Sequence, residues 1–183
     1  MDFNEMLLNR ESCRAFNGQP VDRDLLMQVV EAGRLSPSAC NAQPWRFILV
    51  DEPEALKGVQ DALVVDGGAT GAPWRDKVPA FIVVCEEHAN TMPIVRQHYN
   101  TTQRFVPLDI GLAAMNMCYK AMELGLSTCM IGVCDQDVME QRLGIPAGHT
   151  VWVTLAVGYP AKETAPRKKM RKAIGDVCGL NHY

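Results

Sequence analysis

Residues Phe105 to Leu124 constrain the fold more than any other stretch of this chain. Val106, Leu108, Ile110, Leu112, Ala113, Met115, Met117, Cys118, Ala121 and Met122 recur at helical spacing and leave few polar positions. A helix that is apolar around most of its circumference has to be covered, either in a core or in a subunit interface. The chain has only 183 residues. One small subunit would struggle to cover such a helix on every side, which predicts a homodimer. The methionines suit irregular core packing rather than a cofactor box. Gly125 follows as a C-cap.

The strands read as short apolar runs. Pro79 to Cys85 is continuously apolar, as a strand buried on both faces would be. Trp45–Val50, Thr128–Val133 and Thr150–Val157 are the others. Helices are expected around Phe3, Met6 and Leu7, over Asp22 to Ala32 with Asp22 as N-cap, over Glu54 to Leu63, and after Asp135 as N-cap. The glycine-rich stretch 66–72 reads as a loop. It lacks the G-x-G-x-x-G order and the strand–turn–helix setting of a dinucleotide fingerprint. No repeat and no linker composition divides the chain, so residues 1–183 are expected to form a single domain.

Composition excludes several classes. A net charge of -3 gives no general attraction to nucleic acid or to an anionic membrane. No apolar run approaches the roughly 20 residues that span a bilayer, and residues 1–5 lack the pattern of a signal peptide. The seven cysteines are odd in number and form no Cys-x-x-Cys pair. That favours a reducing cytoplasm over a disulfide framework or a zinc site. The four histidines, His88 and His98 among them, have no compact ligand spacing, and no metal is expected.

Three stretches carry candidate chemistry. In Arg10–Phe16, Arg10, Ser12 and Arg14 alternate. In extended backbone they would present two guanidinium forks and a hydroxyl to one place, a match for phosphate oxygens, or they are ordinary surface residues. Ser36 to Trp45 joins a helix to a strand and is fenced by Pro37 and Pro44. Asn41 and Gln43 each offer a donor and an acceptor, suited to the edge of a planar heterocycle or simply to the turn itself. Arg167–Lys172 packs five cations into six positions. It reads as a solvated tail, a nucleic-acid patch or one half of a site for a single anion. Gly132 either brings bare backbone against a flat ligand or is tolerated at a strand end.

These segments, in this order, resemble the flavin-dependent nitroreductase family. Arg10-Glu11-Ser12-Cys13-Arg14-Ala15-Phe16 is similar to its N-terminal Arg-x-Ser-x-Arg-x-Phe segment, which binds the FMN phosphate and ribityl chain. Pro37-Ser38-Ala39-Cys40-Asn41-Ala42-Gln43-Pro44-Trp45 resembles its Pro-Ser-Ser-x-Asn-x-Gln-Pro-Trp loop, which meets the isoalloxazine, usually from the other subunit. Ile131-Gly132-Val133 resembles the segment along the pyrimidine side, and Gly158-Tyr159-Pro160 with Lys169-Met170-Arg171 the C-terminal phosphate pattern. Ala39 departs from a common second serine, and Cys40 from a frequent glycine or threonine; Cys40 would either fill space near the ring or react.

The resemblance implies an α+β, three-layer fold with a central mixed β-sheet flanked by helices. It implies FMN as cofactor and NADH or NADPH as electron donor. Nitroaromatics, quinones or similar electron-poor acceptors would be reduced in ping-pong fashion, with a flavin-storage or sensing protein as the alternative. No side chain is nominated as a catalytic acid or base, because flavin carries the hydride chemistry. Residues 66–104 would shape the acceptor pocket, with Trp74, Tyr99 and Phe105 as its aromatic candidates.

Overall fold

The structure is a computed structural model that describes residues 2–64, 72–87, 105–162 and 167–182. Tyr99, His88, His98 and the glycine-rich stretch 66–71 lie outside the described residues. Four strands, β1 (Trp45–Val50), β2 (Ala80–Glu86), β3 (Ser127–Ile131) and β4 (Val151–Gly158), form one sheet in the order β1-β2-β4-β3. All three pairings are antiparallel. Among the described residues, the mixed character expected of the sheet enters only through a parallel bridge, Ser12 to Thr128, on the outer side of β3.

Among the described residues there are five α-helices, α1 (Phe3–Asn9), α2 (Arg23–Arg34), α3 (Pro53–Ala62), α4 (Val106–Glu123) and α5 (Gln136–Leu143), of which α2 to α5 pack on the sheet. The continuous apolar run of β2 explains the layering. Alternate side chains of a strand leave on opposite faces. Ala80, Ile82 and Val84 join one core with Leu26 and Val29 of α2 and Ile110, Ala113 and Met117 of α4. Phe81, Val83 and Cys85 join the other with Val59 of α3 and Met139 of α5. Helices on both faces of a sheet that is apolar on both faces give the three layers.

Local signals set the helix ends. Asp22 accepts from the Asp24 N–H and Asp135 from the Val138 N–H. Gly125, at φ 77°, follows the last turn of α4. Where α2 crosses α4, a Cβ on Gly33 would stand 2.9 Å from Met117 Cγ, so the crossing requires a residue without one.

Helix α4 is covered by its own chain on one side only. It is buried along Val106, Ile110, Ala113, Met117 and Ala121, but Leu108 is 60% and Leu112 41% exposed. The chain covers one flank and leaves the other bare. Phe3 and Leu8 of α1 are exposed too, although the Phe3 ring lies 5.5 Å from that of Tyr119 on α4. Among the described residues, no helix is long and apolar enough to cross a membrane.

Candidate active site

The segment that follows α1 is held in place by the sheet. Arg10 leaves the helix at φ -58° and ψ 121°. The Cys13 N–H then donates to Thr128 O at 2.9 Å, the Ala161 N–H to Ala15 O at 2.8 Å, and the Asn17 N–H to Tyr159 O at 3.1 Å. Residues 12–17 therefore run as an added edge beside β3 and the end of β4. Extended backbone sends Arg10, Ser12 and Arg14 the same way, and all three border two adjoining cavities.

The larger cavity, about 800 Å³, has a floor of Cys118 and Met122 from α4 with Leu126, Thr128 and Pro160. The smaller, about 290 Å³, is an open depression lined by Arg10, Glu11, Ser12, Arg14 and Arg167–Arg171. Two ends of the chain thus meet in one cationic cradle. Lys169 reaches Leu7 O with its Nζ at 2.7 Å. Arg167 donates from its backbone N–H to Glu11 Oε1 at 2.6 Å and from its Nη2 to Ser12 O at 3.3 Å.

The electrostatics are one-sided. Partial desolvation, then the guanidinium groups of Arg10 and Arg171, push the Lys169 ammonium below the usual lysine range, and Glu11 only partly opposes them. Among the described residues, none of Arg10, Arg14, Lys169 and Arg171 pairs with a carboxylate, whereas Arg167 pairs with Glu11 at 3.4 Å. Clustered cations repel one another unless an anion relieves them. A phosphomonoester carries about -1.5 to -2 charge at neutral pH and three acceptor oxygens, which suits this set.

The loop Pro37–Pro44 is built differently and lies elsewhere. Cys40, Asn41 and Gln43 hold φ of 54°, 53° and 48°. Left-handed backbone at three non-glycine residues is strained and survives only where surrounding bonds impose it. Those bonds are present. Ser38 Oγ accepts from the Gln43 N–H at 2.9 Å. Ser36 Oγ accepts from Asn116 Nδ2 at 2.8 Å and donates to Ala32 O at 3.2 Å. The carboxylate of Asp109, buried on α4, accepts from the Ala39 N–H at 3.1 and 3.2 Å. Desolvation raises the Asp109 pKa, and the Ala39 N–H works against that rise.

The structure therefore brings together Arg10, Glu11, Ser12, Arg14, Lys169 and Arg171. Pro37, Ser38, Ala39, Cys40, Asn41 and Gln43 border neither cavity, nor do Ile131, Gly132 and Val133. Cys40, Asn41 and Gln43 expose their side chains, so Cys40 fills no gap in its own core. A Cβ on Gly132 would meet nothing within 4 Å, so the chain itself does not demand a glycine there. Trp74 packs against Phe16, ring centroids 5.7 Å apart, rather than lining either cavity. Phe105 caps the N-terminus of α4 and also borders neither.

Sequence reasoning missed Asp109 and the individual role of Arg167. Asp109 had a signal, since it occupies the buried stripe of an apolar helix together with Val106, Ile110 and Ala113. Asp109→Ala should cost about 1–3 kcal/mol, because the Ala39 amide loses its acceptor. Asp109→Asn, which keeps an acceptor oxygen, should cost much less. Denaturant unfolding of both variants checks this; equal losses would mean that the charge matters and the acceptor does not.

Comparison with known proteins gives the family and the fold. The family model described as Nitroreductase family matches residues 7–159. An FMN reductase [NAD(P)H] of Bacillus subtilis is 25% identical over 175 residues, covering 90% of this chain and 68% of its own. An NADH dehydrogenase of Thermus thermophilus is 24% identical over 196 residues, covering 93% and 92%. The crystal structure of a nitroreductase-like protein from Streptococcus mutans superposes with a TM-score of 0.85 at 20% identity, covering 99% of this chain and 98% of that one. The chain belongs to the nitroreductase family.

Proposed function

We propose that this chain is an FMN-dependent oxidoreductase that draws electrons from NADH or NADPH and delivers them to electron-poor organic acceptors such as nitroaromatics and quinones. The observation that carries this reading is the cradle of Arg10, Arg14, Lys169 and Arg171, assembled from both ends of the chain, in which the bordering carboxylate, Glu11, pairs with Arg167 instead of with these four. The residues fit an FMN phosphate, with Ser12 as a hydroxyl partner. FMN, when bound, supplies the hydride and electron chemistry. The chain's part is to bind, orient and leave one face accessible, and no acid or base is assigned.

A homodimer belongs to the same proposal. Leu108 and Leu112 of α4 and Phe3 and Leu8 of α1 are exposed large apolar side chains, which a partner subunit would cover. The exposed side chains of Cys40, Asn41 and Gln43 sit on a loop braced from behind by Asp109, which suits contact with a ring held mainly by a second copy. Ile131, Gly132 and Val133 would line the same ring's edge.

The sequence lacks a dinucleotide fingerprint, so donor and acceptor are proposed to use one open space in turn. Steady-state double-reciprocal plots should then be parallel. Anaerobic stopped flow on FMN-loaded protein is the direct test: NADH or NADPH should bleach the flavin, and a quinone or nitroaromatic should restore it. Bleaching by a chemical reductant but by neither nicotinamide would reject the donor and favour flavin storage.

A further inference from the structure

We propose that Glu11 is a positioning residue: it latches the basic segment 167–171 onto the Arg10–Arg14 segment and so completes the anion cradle, without touching the anion itself. The inference rests on the flavin reading for its ligand but on independent contacts for its mechanism. Among the described residues, every hydrogen bond tying 167–182 to the rest of the chain runs through Arg167 or Lys169. Two of the acceptors are backbone carbonyls, Ser12 O and Leu7 O. Among the described residues, Glu11 is the one side chain of the body that grips the segment, taking the Arg167 N–H at 2.6 Å and its Nε at 3.4 Å. No residue of 167–182 is buried, so packing does not hold it there.

A carboxylate bordering a phosphate site is unfavourable by charge alone. Its presence in the cradle wall is explained if it brings in Lys169 and Arg171. A tethered pair of cations is then replaced by a prepositioned pair, and the anion no longer bears the cost of ordering the segment. The two accounts predict opposite signs. If Glu11 were only a repulsive neighbour, removing it would tighten phosphate binding. If it is a latch, removing it loosens the cradle and weakens binding.

The test compares Glu11→Ala, Glu11→Gln and the unaltered chain at one fixed salt concentration. FMN and riboflavin are titrated by flavin fluorescence. The latch predicts FMN binding weakened roughly tenfold in Glu11→Ala. Glu11→Gln should recover part of this, since an amide oxygen can still accept from Arg167. Riboflavin, which has no phosphate, should bind all three alike. Arg167→Ala should be milder than Glu11→Ala, because it keeps the backbone N–H. Flavin-free protein gives a second readout: trypsin should cut after Lys168, Lys169 or Arg171 several-fold faster in Glu11→Ala. Unchanged cleavage, or tighter FMN binding in both Glu11 variants, would overturn the latch. If the unaltered chain bound no FMN, the flavin reading would fail, and the cleavage rates would still decide the latch.

Discussion

Phe16→Ala should lower the free energy of unfolding by about 3–5 kcal/mol, the range for deleting a large buried aromatic. Phe16 is 1% exposed and belongs to the core between the sheet and helices α3 and α5. Its ring packs against Trp74, and a Cβ on Gly158 would come within 3.1 Å of its Cδ1, so no slack surrounds it. A cavity there cannot close easily, because β2 and β4 are fixed by their own pairing. Phe16 also forms an antiparallel bridge with Pro160 at the end of the segment that carries Arg10, Ser12 and Arg14. Urea unfolding should show a lower midpoint at unchanged slope. A loss under about 1 kcal/mol would mean that the surrounding side chains collapse into the space and that the packing argument is mistaken. Phe16→Leu, which refills most of the volume, should recover most of the stability.

That position also shows what the sequence could and could not reveal. The elements were legible because their signals are local. The apolar run of β2, the caps at Asp22 and Asp135 and the glycine after α4 each act within a few residues. The alternation of Arg10, Ser12 and Arg14 predicted a shared direction, and the bridge to Thr128 supplies the extended backbone that this needs. What stayed hidden is long-range. Nothing local says that Glu11 meets Arg167, 156 residues away, or that Asp109 meets the Ala39 amide 70 residues back. Which flank of α4 stays bare is hidden for a related reason. Periodicity reports how apolar a helix is all round, but not which neighbours the chain has available to cover it. The contact of Trp74 with Phe16 is equally hidden, since an aromatic in a loop looks the same whether it lines a pocket or packs on a core.

The double substitution Arg10→Ala with Arg171→Ala should have the largest effect on ligand binding. A hydrogen bond to a charged group contributes about 1.5–3 kcal/mol, so each single change should weaken FMN binding by roughly one to two decades. Both residues border the smaller cavity, and both press on Lys169. Because they face one anion from two ends of the chain, their losses should not add. Once one is gone the phosphate can recentre on the remaining cations, so the double variant should fall short of the summed single losses. Removing either arginine should also let the Lys169 pKa rise in the flavin-free protein, which chemical-shift titration of its side chain would detect. Riboflavin separates charge from shape, since it keeps the ring and ribityl chain but has no phosphate. Its affinity should be nearly unaffected by the double change, and the salt dependence of FMN binding should shrink with each arginine lost. If FMN and riboflavin weakened equally, the arginines would be shaping the cavity rather than neutralising a phosphate. If neither weakened, the cradle would belong to some other anion, and the flavin would have to be sought along the 800 Å³ cavity floored by Cys118, Met122 and Thr128.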